Sequence, residues 1–367
     1  MPIYMDRHDL PEAVTAEAVA KVHQEDLKIQ EQFGCRGLTY WVDEKRGTAF
    51  CLIEAPEEAS VKNMHDQAHG MIPNQIIEVD TRVVNAFLGR IEDPSGKKGE
   101  YDIINESAFR TIMITCLPDV VILAAKVGKD KAGLFIEQHN GIIRKAIEKF
   151  DGSEVKSLRG TFIVSFQSII KGMHCAREIQ NKMQQLHHEG VDLKIKIGIN
   201  AGLPVNNSPD LFGQTIHVTH RLCNLAASGD IVISSEVKEL LTAESDEPLN
   251  DGNTIALNPD NEKFLNSLID IIESMWNVTE FNINAFAKKL GLSKAQLYRK
   301  ITKLTGFSPN DFIREYRLKK AAEAIGKQEG NVSEIAYWCG FNSPSYFSKC
   351  FLERFGILPS SFAASIN

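Results

Sequence analysis

Two imidazoles four residues apart are the first chemistry this chain offers. His65 and His69 stand at i and i+4. On a helix both project from one face, spaced to hold a single borderline divalent cation. His8 and His23 fall in the same first 69 residues, which hold four of the ten histidines; none occurs after His220. Glu25, Asp26, Glu78 and Tyr40 are further donors that the fold could bring near. The same His spacing also occurs on plain solvated helix faces, and no cysteine stands beside this pair in sequence.

These histidines need a scaffold. Residues 2–8 alternate as a strand does, and 15–32 reads as a helix capped by Thr15. Strands over 38–42 and 48–53 flank a charged turn ending in Gly47. Pro56 opens a second helix that ends near His69, and 75–87 reads as a last strand. The order β-α-β-β-α-β is ferredoxin-like, with both helices on one side of the sheet, so His23 can approach His65. The segments Asp6-Arg7-His8, Val22-His23-Gln24-Glu25-Asp26-Leu27, Gly47-Thr48-Ala49-Phe50-Cys51-Leu52 and His65-Asp66-Gln67-Ala68-His69-Gly70 are similar to a family of small nickel-binding ferredoxin-like proteins, over nearly all of residues 2–88. The resemblance implies His8, His23, His65 and His69 as the metal-linked residues and a divalent metal, nickel, as the cofactor.

A second chemistry lies in the last third. Two apolar helices end at Gly291 and Gly340, each followed by a Ser (Ser293, Ser343) that can cap a further helix with one apolar and one polar face. Helix, turn, polar-faced helix is the arrangement that reads a major groove. On the first such helix, over 294–304, Leu297, Ile301 and Leu304 form the buried stripe, leaving Lys294, Gln296, Arg299, Lys300 and Lys303 for DNA. On the second, over 344–355, Phe347, Phe351 and Phe355 are core, leaving Ser343, Ser345, Tyr346, Lys349 and Arg354. Gln296, Arg299, Ser345 and Lys349 lie where base edges are met, and Lys303 and Arg354 where phosphates are. Trp338 and Phe341 read as core, and 312–321 as a helix that sets the spacing of the two readers. Ile335-Ala336, Cys339-Gly340-Phe341, Tyr346-Phe347-Ser348-Lys349 and Phe355-Gly356-Ile357-Leu358-Pro359 resemble the DNA-binding domain of AraC/XylS regulators. That resemblance implies double-stranded DNA as partner.

Between them, 108–243 reads as an α/β domain. It resembles the class III nucleotidyl cyclase domain through Glu154-Val155-Lys156-Ser157-Leu158, Ile195-Lys196-Ile197-Gly198-Ile199-Asn200, Asp210-Leu211-Phe212-Gly213 and Gly229-Asp230-Ile231-Val232-Ile233-Ser234. Its cyclases hold two metals with two Asp; here those positions carry Cys116 and Gly160, and His217 replaces an expected Asn. Without both carboxylates a two-metal clamp on a triphosphate cannot form. The expectation is therefore a catalytically inactive relay or dimerisation domain, with Lys156 and Arg221 as weak nucleotide-binding candidates. The homodimer is implied by the head-to-tail pairing of that family.

Composition fits this division. The net charge is −7, yet from Asp260 onward fourteen Lys and Arg face eleven Asp and Glu, so the acidic excess lies in the earlier parts. A mildly basic reader implies modest, salt-sensitive phosphate affinity. Seven cysteines without a CxxC suit reduced thiols. No apolar run of membrane-spanning length and no signal peptide is evident, so a cytoplasmic protein is expected. Polar stretches at 91–107 and 244–261 read as linkers, bounding domains 1–90, 108–243 and 262–367. The whole reads as a ligand-responsive, non-enzymatic transcription regulator. Its alternatives are a regulator of nucleotide or organic effector, and an active cyclase with a DNA-binding domain.

Overall fold

The computed structural model describes residues 1–94, 103–117, 119–158, 160–186, 194–206, 208–226, 229–245 and 252–366. The first part is built of β1 (Ile3–Asp9), α1 (Ala16–Ile29), β2 (Arg36–Asp43), β3 (Thr48–Glu54), α2 (Glu58–His69) and β4 (Gln75–Glu78). Thr15 caps α1 by accepting from Ala18 N–H, and Asp43 closes the β2–β3 turn by accepting from Arg46 N–H. The sheet runs β2-β3-β1-β4 with every pair antiparallel, the ferredoxin-like order. Both helices pack on one face, over Tyr40, Val42, Cys51 and Ile53.

The expected strand over 75–87 stops at Glu78. Asp80 instead accepts from Arg82 N–H and caps a helix, α3 (Thr81–Leu88). Its Val84, Phe87 and Leu88 enter a core with Met5, Trp41, Phe50 and Leu52 from the bare face of the first sheet and with Ile112, Ile114 and Phe212 of the next part. Arg110, 2% exposed, donates to the carbonyls of Phe87 and Leu88 at the end of α3 and to that of Ser107. The expected linker over 91–107 is thus docked at both described ends: Asp93 N–H donates to Leu38 O, Val42 N–H donates to Glu106 O, and Ile104 is buried. Its centre, at 95–102, lies outside the described residues.

The middle part comprises β5 (Arg110–Cys116), α4 (Val120–Val127), α5 (Lys129–Lys149), β6 (Ser153–Leu158), β7 (Thr161–Phe166), α6 (Ile169–Gln185), β8 (Lys196–Gly202), α7 (Gly213–Leu225), β9 (Ile231–Ile233), α8 (Ser235–Glu244) and β10 (Thr254–Ala256). The sheet order is β10-β9-β8-β5-β7-β6. α5, α6 and α8 cover one face; α7 lies on the other, pressed so close that a Cβ on Gly198 would sit 2.5 Å from Cys223 N. The expected second linker over 244–261 is partly structural, because β10 extends the sheet parallel to β9. Residues 246–251 of it are outside the description.

The last part is helical: α9 (Pro259–Met275), α10 (Ile283–Lys289), α11 (Lys294–Thr305), α12 (Pro309–Gly326), α13 (Val332–Trp338), α14 (Pro344–Phe355) and α15 (Pro359–Ile366). Gly291 and Gly340 have φ of 64° and 77°, the left-handed turn each helix-turn-helix requires. α4 inserts Ile122 among Leu318, Phe347 and Phe362, and α7 packs Leu222 against α9, so this part is docked on the middle one. Among the described residues no helix is long and apolar enough to cross a membrane.

Candidate metal centre and candidate DNA interface

Alternation on β1 turns Asp6 and His8 toward the helices and Met5 and Arg7 toward the middle part. His65, 1% exposed, lies between two carboxylates: its Nε2 is 2.8 Å from Asp6 Oδ2 and its Nδ1 is 3.1 Å from Asp26 Oδ1. His69 Nε2 is 3.1 Å from the same Asp26 oxygen and 3.1 Å from His65 Nδ1. Burial disfavours charge on His65, but hydrogen bonds to Asp26 and Asp6 outweigh it and push its pKa up to about 10. Burial likewise opposes ionisation of Asp6, yet the His8 and His65 rings hold its carboxyl well below the usual range.

Asp26 Oδ1, His65 Nδ1 and His69 Nε2 therefore form a triangle 3.1 Å on each side. Donors about 2.1 Å from a cation at right angles to one another stand about 3.0 Å apart, against about 3.4 Å in a tetrahedron. The triangle fits three adjacent positions of right-angled coordination. A second group, Asp6, His8 and Cys51, also has donor atoms within 4.8 Å of one another. Asp6 links the groups, since it faces His65 with one oxygen and accepts from Cys51 N–H at 3.0 Å with the other.

The four histidines expected at the metal do not all converge. His23 Nε2 faces Asp93 at 3.5 Å, its ring lies against Tyr40, and it belongs to neither donor group. Of the further donors, Asp26 joins the triangle; Glu25 pairs with Lys28, and the Tyr40 hydroxyl accepts from Ile104 N–H. Asp6 was missed as a donor. Its sequence signal is its place two residues before His8 on the same strand face.

In the last part, Lys294, Arg299 and Lys303 on α11 and Ser345, Tyr346 and Lys349 on α14 are exposed. Gln296 is exposed too, but its side-chain oxygen accepts from Ser293 N–H in a capping box, and the Ser343 hydroxyl caps α14. Lys300 lies over the Phe264 ring at 4.9 Å. Arg354 turns away to Glu315 at 2.7 Å and Asp119 at 3.1 Å. Trp338, expected in the core, is 50% exposed and meets Trp276 edge-on.

In the middle part, Leu117 N–H donates to Gly160 O, so the end of β5 and the β6–β7 turn adjoin without a carboxylate at either position. Asp119 is held by Arg354. Arg221 is held by Asp270, Glu273 and Asn266 of α9, and Lys156 stands exposed on β6.

Comparison with known proteins agrees with this three-part division. Residues 4–79 match the family described as nickel responsive protein SCO4226-like, 111–263 the adenylate and guanylate cyclase catalytic domain, and 286–365 a helix-turn-helix domain. A histidine kinase P4 of Formosa agariphila is 40% identical over 108 residues, 29% of this chain and 8% of that protein. The HTH-type transcriptional activator RhaS of Mannheimia succiniciproducens is 38% identical over 80 residues, 22% of this chain and 30% of that protein. The chain therefore spans less than a third of either relative. Among solved structures, SCO4226 of Streptomyces coelicolor is 30% identical, with 21% of this chain and 94% of that chain covered and a TM-score of 0.20. An adenylate/guanylate cyclase/hydrolase of Silicibacter pomeroyi is 25% identical, with 39% and 86% covered and a TM-score of 0.34.

Proposed function

We propose that this chain is a transcription regulator of the AraC type that binds specific double-stranded DNA through its two helix-turn-helix units. The observation that carries this reading is the pair of capped helices, α11 and α14, each burying an apolar stripe and presenting Lys294, Arg299 and Lys303 or Ser345, Tyr346 and Lys349 to solvent. Selection of bound sequences from a random DNA pool tests it. Enrichment of a motif with two half-sites about one helical turn apart is expected. Binding with no sequence preference would sink the idea.

The effector on this reading is a divalent metal, with nickel favoured because imidazole and carboxylate donors in right-angled array suit it better than a tetrahedral ion. Asp26, His65 and His69 hold it, and Asp6 accepts from His65 Nε2–H to fix the ring. Calorimetry with Ni²⁺ is expected to give saturable binding that the double change His65→Ala, His69→Ala abolishes; binding that survives it excludes this site. The middle part acts as a relay that makes no cyclic nucleotide, a reading supported by Cys116 and Gly160 at the positions of the two metal-binding carboxylates. Incubation with ATP or GTP and Mn²⁺ is expected to yield no cyclic product.

A further inference from the structure

Gly198 of β8 has no side chain, and α7 rests directly on that bare backbone. The helix therefore lies close enough to the sheet for Cys223 to reach the strand ladder. Its thiol donates to the Lys196 carbonyl at 3.5 Å, and Lys196 is the residue paired with Cys116 across β5 and β8. Cys116, Ile112 and Ile114 share the face of β5 that α7 covers, and there the two thiols stand in hydrogen-bond contact. Cys116 Sγ also accepts from the Thr161 hydroxyl at 3.8 Å. β5 leads from Cys116 into α4, and α7 packs Leu222 against α9. The pair thus lies at the root of both contacts by which the middle part holds the helical one.

The two thiols differ. Cys223 is 1% exposed, whereas Cys116 alone of the seven cysteines is partly open to solvent. The hydrogen bond from Cys223 lowers the Cys116 thiol against the opposing effect of burial, and the same bond, then burial, raises Cys223. Lys196 and Lys319 add less, since Glu315 faces both. An open thiolate beside a buried, protonated thiol is the arrangement of an attacking and a resolving cysteine.

We propose that Cys116 and Cys223 form a peroxide-responsive dithiol, in which a hydroperoxide oxidises Cys116 and Cys223 closes the disulfide. The Cys116 thiolate attacks one peroxide oxygen. The O–O bond breaks, and its electron pair leaves with the other oxygen, which takes a proton from solvent. Cys116 is then a sulfenic acid and no longer an anion, so the charge that kept Cys223 protonated is gone. The Cys223 sulfur attacks that of Cys116, the S–O bond breaks, and the departing hydroxide takes the Cys223 proton and leaves as water. Each sulfur gives one electron, and the peroxide receives two. The sulfurs close from hydrogen-bond contact to about 2.05 Å.

The test treats the full chain with hydrogen peroxide in EDTA, blocks free thiols with N-ethylmaleimide and digests without reductant. Mass spectrometry is expected to find a peptide pair joined through Cys116 and Cys223, which dithiothreitol separates. This readout on the unaltered chain does not depend on any variant folding. Cys116→Ser is expected to abolish the joined pair and leave Cys223 unoxidised. Cys223→Ser is expected to abolish it too, but to leave Cys116 as a sulfenic acid that dimedone captures. Joining through any other cysteine, two Cys116 residues joined between copies, or a Cys116 that peroxide leaves as free thiol overturns the proposal.

Discussion

His65 touches a carboxylate with each ring nitrogen, and those two contacts separate its roles: one side faces the donor triangle, the other is held by Asp6. Asp6→Asn is therefore expected to weaken Ni²⁺ binding about 10- to 100-fold while Glu25→Gln does nothing, as calorimetry would show. Cys116 is the one cysteine not fully buried. The hydrogen bond from Cys223 outweighs burial, and with Thr161 and the nearby Lys196 and Lys319 it lowers the thiol to about 7. Alkylation with iodoacetamide is expected to mark Cys116 first, its rate climbing as pH rises through about 7 and the thiolate forms. Cys175 and Cys339, pushed up to about 12 by burial, stay unmarked. The spacing of His65 and His69 and the alternation at His8 were legible from the chain because periodicity alone places them. Asp6 and His23 were not, since which carboxylate meets which ring depends on the packing of strand against helix. Trp338 likewise reads as core by type, yet it stands half exposed, edge-on to Trp276.

At the scale of elements, the end of α2 joins the site to a loop. Gly70 closes the helix in the left-handed conformation, and Met71 N–H donates to His69 Nδ1 at 3.1 Å. That bond places the ring proton on Nε2, toward Asp26. A cation on Nε2 requires the proton on Nδ1 instead, which ends the Met71 bond. Hydrogen exchange at the Met71 amide is expected to quicken on Ni²⁺ loading and to stay unchanged with Mg²⁺, which dehydrates reluctantly and favours oxygen donors. Arg110 secures another element end. Arg110→Met strands the carbonyls of Phe87 and Leu88 and is expected to cost on the order of 3 kcal/mol, seen as a lower urea midpoint at unchanged slope. Long periodic helices and the capped readers were legible in advance. α3 was not, because Val83, Val84 and Phe87 suit a strand equally well and only the Asp80 cap decides it. β10 is three residues long and exists through its pairing with β9.

Across the whole molecule, Arg354 joins α14 and α12 to Asp119 at the start of α4. Arg354→Ala is expected to leave the salt dependence of DNA binding as it was. Arg299→Ala, at an exposed residue of α11, is expected to lower that slope by about 1, since a phosphate or base contact carries counterion release. Equal slopes for all three proteins would remove Arg299 from the interface. The order of the three parts was readable from their motifs, whereas their docking was not, because it rests on single residues such as Ile122 that no period marks. One such join has a practical meaning for anyone who would dissect the chain. The family matches end at residue 79 and resume at 111, as though the span between were spare connector. That span holds α3, and β5 begins within it at Arg110, so a fragment trimmed to residue 79 would carry Trp41, Phe50 and Leu52 bare into water. Such a piece should clump in solution for want of its lid, and a usable sensor fragment has to keep α3.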